Sequence, residues 1–245
     1  ATAAALSNIV VAHIQGGEVT GTIDESIRHA VTKLSHLHFV ATKGARKRVI
    51  KMGEPKKYVW NVGCPARDML VIYTPQKQLV KDYLLILQHP VTTEYSEASQ
   101  GDSINKACHR AKLHTVAIKG NHDAGALSVY SNDLIIDFSV SRETFVDYMA
   151  HAACMVGNSS AGIREAGYFG TPVVNVGTRQ NGRERGQNVL DAPYDAEAIY
   201  DAIQSQLKHG KYPVEHIYGS GHAGEQVAKI LAEIDLPPIQ KTITY

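Results

Sequence analysis

The sequence predicts an α/β protein with two open parallel sheets in tandem, the first of them incomplete. Three observations carry this. Short apolar runs alternate with amphipathic stretches through almost all of the 245 residues, the order that lays helices on the faces of a parallel sheet. Between Met69 and Asp82 the alternation stops, and Pro75 with a Gln/Lys cluster takes its place, which marks a domain boundary. The opening ATAAALSN lacks the basic start of a signal peptide and reads as the tail of a helix entering a strand at Ile9. The expectation is that the chain begins inside a domain. The expected domains are residues 1–74, residues 75–221, and a C-terminal helix and tail at 222–245 that packs back on the first.

Taken in order, NIVVAHI (Asn8 to Ile14) reads as a buried strand. Thr22-Ile23-Asp24-Glu25 has the form of a capping box, with Thr22 as N-cap and Glu25 reaching back. Ile23, Ile27, Val31 and Leu34 then fall on one helix face. Leu37 to Ala41 is the next strand, a basic helix runs from about Ala45 to Met52, and the strand Tyr58–Val62 is closed by Gly63-Cys64-Pro65. The second series has strands at Tyr83–Gln88, Thr115–Ile118, Leu134–Phe138, Ala153–Val156 and Val173–Val176. Its helices lie near Glu97–Ala111, Arg142–Ala152 and Gly162–Tyr168. Asp195 caps a helix reaching His209, and the last helix spans His222 to Ile234.

Composition excludes several functions. A net charge of +1 gives no electrostatic case for nucleic acid or a membrane surface. No apolar run approaches the roughly 20 residues that span a bilayer. Cys64, Cys108 and Cys154 are odd in number and far apart, so neither a zinc site nor a disulfide framework follows, and a reducing cytoplasmic setting is the simplest reading. His36 and His38 bracket a helix end as H-L-H; without further converging ligands they read as packing histidines rather than a metal site.

In open parallel sheets ligands sit beyond the carboxyl ends of the strands, so the loops after strands hold the candidates. GNSSAGIREAGYFGTP, from Gly157, gives strand, small-residue loop, helix start. Such a turn aims backbone N–H groups at one spot, which suits a phosphate, and Ser159 and Ser160 add hydroxyls. Glu165, further along, would repel a phosphate and is better placed to accept hydrogen bonds from a ribose diol. The alternative is an ordinary capped helix. His89 follows a strand directly, where it could bond a diphosphate or transfer a proton. Arg179, Arg183 and Arg185 lie in one loop and could clamp phosphates; a solvated charged loop is the plainer reading. Near the start, Gly16-Gly17 permits close backbone approach. Asp24 and Arg28 share a helix face, and Asp24 is either an acid/base or a favourable charge at a helix start. Glu18 is a further carboxylate in this loop.

Together HIQGGEVTGTIDESIRHAVTKLSHLH, the GCP turn, LQHPVT, GNSSAGIREAGYFGTPVVNVGTRQNGRERGQNVL and KYPVEHIYGSG resemble the hydrolysing UDP-N-acetylglucosamine 2-epimerases. These include bacterial sialic-acid-pathway enzymes and the epimerase half of the animal bifunctional epimerase/kinase. The resemblance runs from about Ile9 to the C-terminal helix. It implies two Rossmann-like domains of the glycosyltransferase-B type with the active site in the cleft between them. It implies that UDP-GlcNAc and water give ManNAc and UDP through a 2-acetamidoglucal, with no metal and no nicotinamide cofactor. By motif, Ser159 and Ser160 would bind the diphosphate, Glu165 the ribose and backbone near Val140 the uracil. His89 would assist departure of UDP, Arg179 would lie near the diphosphate, and Asn121 would face the cleft near the nucleotide-sugar. Asp24 matches a catalytic carboxylate, with Arg28 beside it on the substrate side. A homo-oligomer, dimer or tetramer, is expected, with neither nucleic acid nor membrane as partner.

Two departures bear on activity. The family has Glu where this chain has Gln15, and an amide cannot exchange a proton as a carboxylate does. Either activity is lost or Asp24 and Glu18 suffice. The family also carries roughly a hundred further residues upstream, among them opening strands whose absence leaves a sheet edge to cover. Rival readings are an epimerase of a UDP-2,4-diacetamido-trideoxy sugar, a non-hydrolysing epimerase, a glycosyltransferase, and a UDP-binding module without activity.

Overall fold

The computed structural model describes residues 1–76, 82–91, 94, 97–118, 135–137 and 140–242, with backbone alone at 97–100 and 135–137. The chain falls into two compact units. One comprises Ala1–Ile72, Gly182–Glu184 and His216–Tyr245; the other comprises Tyr73–Asn181 and Arg185–Glu215.

In the first unit α1 (Thr2–Leu6) leads to β1 (Ala12–Ile14), followed by α2 (Asp24–Leu34), β2 (Leu37–Val40), α3 (Lys43–Lys51), β3 (Val59–Asn61) and α4 (Asp68–Ile72). The strands form a parallel sheet in the order β1-β2-β3. β2 is central and buried throughout, whereas Ala12 and Ile14 of β1 are exposed. The expected buried strand from Asn8 is thus shorter and more open, because β1 is the sheet's edge. α3 begins where the Thr42 hydroxyl accepts the Ala45 N–H at 3.0 Å. α4 lies in the stretch that the sequence assigned to a boundary.

α2 departs from expectation in two ways. The capping box does not form: Ile23 precedes the helix in helical conformation, and the Glu25 carboxylate accepts the Thr20 N–H at 2.6 Å. The Thr22 carbonyl already receives the Glu25 N–H at 3.1 Å, so the first turn is closed by backbone. The apolar face is covered only toward its C-terminal end: Ile23 and Ile27 are exposed at 55% and 57%, whereas Val31 and Leu34 are half-buried. Thr32 is the buried residue of this helix. Its hydroxyl lies 3.2 Å from His13 Nδ1 and packs over Gly16, where a Cβ would stand 3.2 Å from it. The polar stripe Arg28–Thr32 therefore faces the loop after β1, which needs partners for its backbone.

In the second unit the order is β4 (Tyr83–Leu87), α5 (Glu97–Ala111), β5 (His114–Ile118), β6 (Ile135–Asp137), α6 (Arg142–His151), β7 (Cys154–Gly157), α7 (Ser160–Arg164), β8 (Val173–Val176), β9 (Val189–Ala192) and α8 (Ala196–His209). The six strands are parallel in the order β6-β5-β4-β7-β8-β9. The sequence did not announce β9, because Leu190 and Asp191 in its middle are exposed and no apolar run marks it. Leu84, Ile86, Val156 and Val174 of the central strands pack with Ile104 of α5 and Ile199 and Ile203 of α8. Asp195 caps α8, accepting the Ala198 N–H at 2.8 Å. The connections run outward from β4 through β5 to β6, and from β7 through β8 to β9 on the other side. The direction of winding therefore reverses between β4 and β7, and the two chains leaving there diverge.

α9 (Ala223–Glu233) belongs to the first unit. The N–H groups of Ala223 and Gly224 donate to the Asp68 carboxylate at 2.8 and 2.7 Å. Ala223 and Val227 pack with Leu37, Phe39 and Val62. Beyond α9 the tail returns to α2: Lys241 Nζ donates to the carbonyls of Lys33 (3.0 Å) and Ser35, and to Glu54 at 2.7 Å. Glu54 is only 1% exposed and also meets Lys33 Nζ at 2.7 Å and His38 Nε2 at 3.1 Å. His36 Nε2 lies 3.0 Å from the Ile239 carbonyl, so both residues of the H-L-H segment serve packing.

Burial pushes the Glu54 carboxyl up, and hydrogen bonds from His38, Lys241 and Lys33 more than offset this, holding it at about 2. A carboxyl depressed on folding stabilises the fold above its unfolded pKa and loses that contribution as pH falls toward the folded value. Urea denaturation should therefore show stability falling between about pH 5 and pH 2, with Glu54→Gln flattening that slope and costing about 2 kcal/mol at pH 7. An unchanged slope in the variant would show that Glu54 is not an anchor.

Candidate functional site

The point between β4 and β7 where winding reverses is where a ligand can lie against diverging loops. A cavity of about 450 Å³ opens there. Two chain exits make its floor. Leu87 ends β4 and pairs with Gly157 at the end of β7. Gly157 takes φ +135, and a Cβ there would stand 2.3 Å from the Leu87 carbonyl oxygen, so the close approach of the two strand ends requires glycine. Beyond them come His89 on one side and Asn158, Ser159 and Ser160 on the other.

Asn158 is fully buried and replaces the ladder where the strands end. Its Oδ1 accepts the His89 N–H at 2.7 Å and its Nδ2 donates to the His89 carbonyl at 2.8 Å. Its own carbonyl accepts from Gln180 Nε2 at 2.7 Å and Arg179 Nη1 at 3.3 Å. Ser159 is the N-cap of α7 and its hydroxyl accepts the Ala161 N–H at 3.3 Å. The expected helix Gly162–Tyr168 is instead α7 followed by a 3-10 turn at Ala166–Tyr168, with Glu165 at the joint. That break aims Glu165 at the cavity wall, where it pairs with Arg142.

Among the residues singled out from the sequence, His89, Ser159, Ser160, Glu165, Arg179 and Val140 all line this one cavity. Asn121 lies outside the described residues. Arg142 also lines the cavity and was not singled out. It follows the Ser141 cap of α6, whose hydroxyl accepts the Thr144 N–H at 3.1 Å. Its position just after a strand was the signal available. Its guanidinium lies 5.6 Å from the Phe145 ring centroid, so the wall combines a cation, an aromatic face and a carboxylate.

The three arginines of the loop after β8 do not act together. Arg179 reaches the cavity. Arg183 is 4% exposed and pairs with the equally buried Glu18 at 3.2 Å. Arg185 pairs with Asp191 and donates to the Gln180 carbonyl at 2.6 Å. Of the three, Arg179 alone lines the cavity, while Arg183 and Arg185 are engaged within the protein. Gly177 starts that loop at φ +80 with a Cβ direction filled by the Tyr194 ring, 2.0 Å away.

The remaining candidates belong to the first unit. Gln15 follows β1 at φ +65, and its Nε2 lies 2.8 Å from the Cys64 sulfur. The Glu18 carbonyl accepts from Arg28 Nη1 at 3.1 Å. Arg28 is thus engaged with the loop rather than free, and Glu18 is enclosed with Arg183. Asp24, in the first turn of α2, is exposed. Beneath this loop burial, assisted by His38 and Arg28, pushes the His13 imidazole down to about 4, so it is neutral at neutral pH. Among the described residues no group of His, Cys, Asp and Glu side chains is arranged to hold a metal ion, and no helix is long and apolar enough to cross a membrane.

Comparison with known proteins bears on this arrangement. The family model described as UDP-N-acetylglucosamine 2-epimerase matches residues 1–232. A UDP-N-acetylglucosamine 2-epimerase of Neisseria meningitidis is 37% identical over 254 aligned positions, covering 97% of this chain and 67% of the relative. A hydrolysing UDP-N,N'-diacetylbacillosamine 2-epimerase of Legionella pneumophila is 36% identical, covering 96% and 68%. Among solved structures, the Methanocaldococcus jannaschii UDP-GlcNAc 2-epimerase in complex with UDP-GlcNAc and UDP superposes with a TM-score of 0.78 at 16% identity, over 94% of this chain and 71% of that one. The fold is the α/β, glycosyltransferase-B type of those structures.

The Glu18–Arg183 pair makes a test of its own. Glu18→Ala leaves a buried guanidinium without its carboxylate and should cost about 3 kcal/mol in urea denaturation. Combining it with Arg183→Met should recover part of that loss. Equal stability of the single variant and the parent would refute the pairing.

Proposed function

Since the chain belongs to the UDP-N-acetylglucosamine 2-epimerase family, we propose that it takes a UDP-linked 2-acetamido sugar and follows the hydrolysing course. The observation that carries this reading is the convergence of Ser159, Ser160, Arg179, His89 and the Arg142–Glu165 pair on one cavity at the switch point of the six-stranded sheet. Hydroxyls, backbone N–H groups and one guanidinium suit a diphosphate. Glu165, held at the wall by Arg142, suits the ribose diol. The apolar Val140 and the Phe145 ring suit the flat face of a base.

In this reading the C2–H and C1–O bonds of the sugar break and UDP departs, leaving a 2-acetamidoglucal. Water then delivers its oxygen to C1 and a proton reaches C2 from the opposite face, so the free 2-epimer and UDP result. His89 assists departure of the diphosphate by hydrogen bonding to it. Proton exchange at C2 needs a group that can take and give a proton. Among the candidates of the first unit, Gln15 cannot do so and Glu18 is committed to Arg183 in a buried pair, which leaves Asp24 as its acid/base. The hydrolysing relative from Legionella supports that course and also favours a second reading, in which the substrate is a UDP-2,4-diacetamido-trideoxy sugar.

Calorimetry should find UDP binding to this chain, weakened at least about tenfold by Arg179→Ala or Glu165→Ala, each of which removes a charged hydrogen-bond partner. No binding by the parent chain would sink the reading. For turnover, Gln15→Glu should raise UDP release from UDP-GlcNAc by about a hundredfold or more. In D2O the released sugar should carry one solvent deuterium at C2. UDP-ManNAc as the product would instead mark the non-hydrolysing course, and preference for the diacetamido substrate would identify the second reading.

A further inference from the structure

His89 carries the departure step in the reading above, and on that reading rests the question of what holds its ring in place. β4 ends at Leu87, two residues earlier, and beyond it the Asn158 side chain bonds both backbone groups of His89. Asn158 accepts its N–H at 2.7 Å and donates to its carbonyl at 2.8 Å, a two-point clamp that fixes the peptide groups on both sides of the Cα. The clamp extends β4–β7 pairing by one step where the strands are already parting, after the Leu87–Gly157 pair.

A buried Asn that merely closed a strand end would satisfy its own polar atoms and no more. Asn158 does more, because its carbonyl is shared by Gln180 at 2.7 Å and Arg179 at 3.3 Å. The next residue in the chain is Ser159. A single fully buried residue is therefore joined to the His, the Ser and the Arg that line the cavity. The two kinds of bond are separable: side-chain atoms hold His89, and the backbone carbonyl holds Arg179 and Gln180.

We infer that Asn158 is a positioning residue for His89: its amide sets the His89 ring against the ligand's diphosphate, while its carbonyl independently seats Arg179. Asn158→Ala removes the first function and leaves the second, since the alanine keeps the carbonyl.

The test follows the His89 Cε1–H resonance, identified by its loss in His89→Gln, as UDP is added to the full chain. In the parent UDP displaces this resonance. In Asn158→Ala the dissociation constant for UDP should stay within about threefold while the displacement falls to under about a third, because a loosened ring no longer meets the ligand squarely. Asn158→Asp, which keeps the acceptor for the His89 N–H and loses the donor to its carbonyl, should give an intermediate response and serves if the alanine variant does not fold. With Glu at position 15, turnover provides a second arm. Asn158→Ala should cost about tenfold or more in kcat when His89 is present and less than about twofold in a His89→Ala background. An equal loss in both backgrounds, or an unchanged His89 displacement, overturns the inference, as does loss of UDP binding in a folded Asn158→Ala. Failure of the parent to bind UDP at all sinks the functional reading instead. The clamp is then read without ligand, where the His89 resonance should split or broaden in Asn158→Ala; a single sharp resonance in both proteins would overturn it.

Discussion

The contact between Gly157 and the Leu87 carbonyl is the constraint from which the geometry of the cavity grows. β4 and β7 are neighbours whose outgoing connections turn opposite ways, so their ends must both meet and part. Meeting requires glycine, because any Cβ at position 157 would overlap the neighbouring carbonyl. Parting requires a substitute for the lost ladder, and the Asn158 amide provides it by bonding both backbone groups of His89. Once those ends are set, Ser159, Ser160 and His89 face the same space without further instruction, and the Asn158 carbonyl draws in the loop after β8.

In the first unit buried charge works beside the apolar clusters on either side of β2. Two enclosed carboxylates act as pegs. Glu54 gathers His38, Lys33 and Lys241, tying strand, helix and tail together. Glu18 receives Arg183, and Glu184 beside it meets Thr42 and Arg48. Burying an ion is expensive unless partners compensate it. Removing one partner of such a peg therefore leaves an uncompensated buried charge.

Several elements were legible in advance to the residue. α5 and β8 have the bounds that periodicity and apolar runs indicate, and Asp195 caps α8 as its sequence suggests. These features depend on residues within one or two turns of each other. The departures concern which partner a side chain takes. The apolar stripe of α2 is covered only at Val31 and Leu34, and Thr32 of the polar stripe is the residue that meets the loop after β1. Glu25 looks like the partner of a Thr22 cap, yet it bonds Thr20 because the first turn is already closed. The arginines at 183 and 185 read as either phosphate ligands or a solvated loop, yet Arg183 meets Glu18 and Arg185 meets Asp191. Among cavity residues, those embedded in a recognisable turn, such as Ser159 and Glu165, could be found from sequence, while Arg142, whose signal was its place after a strand, was not singled out.

By itself the sequence determined most of the order of helices and strands, β9 and α4 excepted, the parallel sheets that such an order demands, the family, and the turn in which Ser159 and Ser160 stand. All of these follow from local periodicity, from glycine's conformational range and from motifs a few residues long. Only the tertiary structure decided which charges are spent and which are available. Glu18 and Arg183 are 165 positions apart, counting from 18 to 183, and no local pattern can reveal that each neutralises the other. The same holds for Asn158 and His89, 69 positions apart. An ion or amide takes whichever partner the packed chain brings within about 3 Å, and that is a property of the fold as a whole.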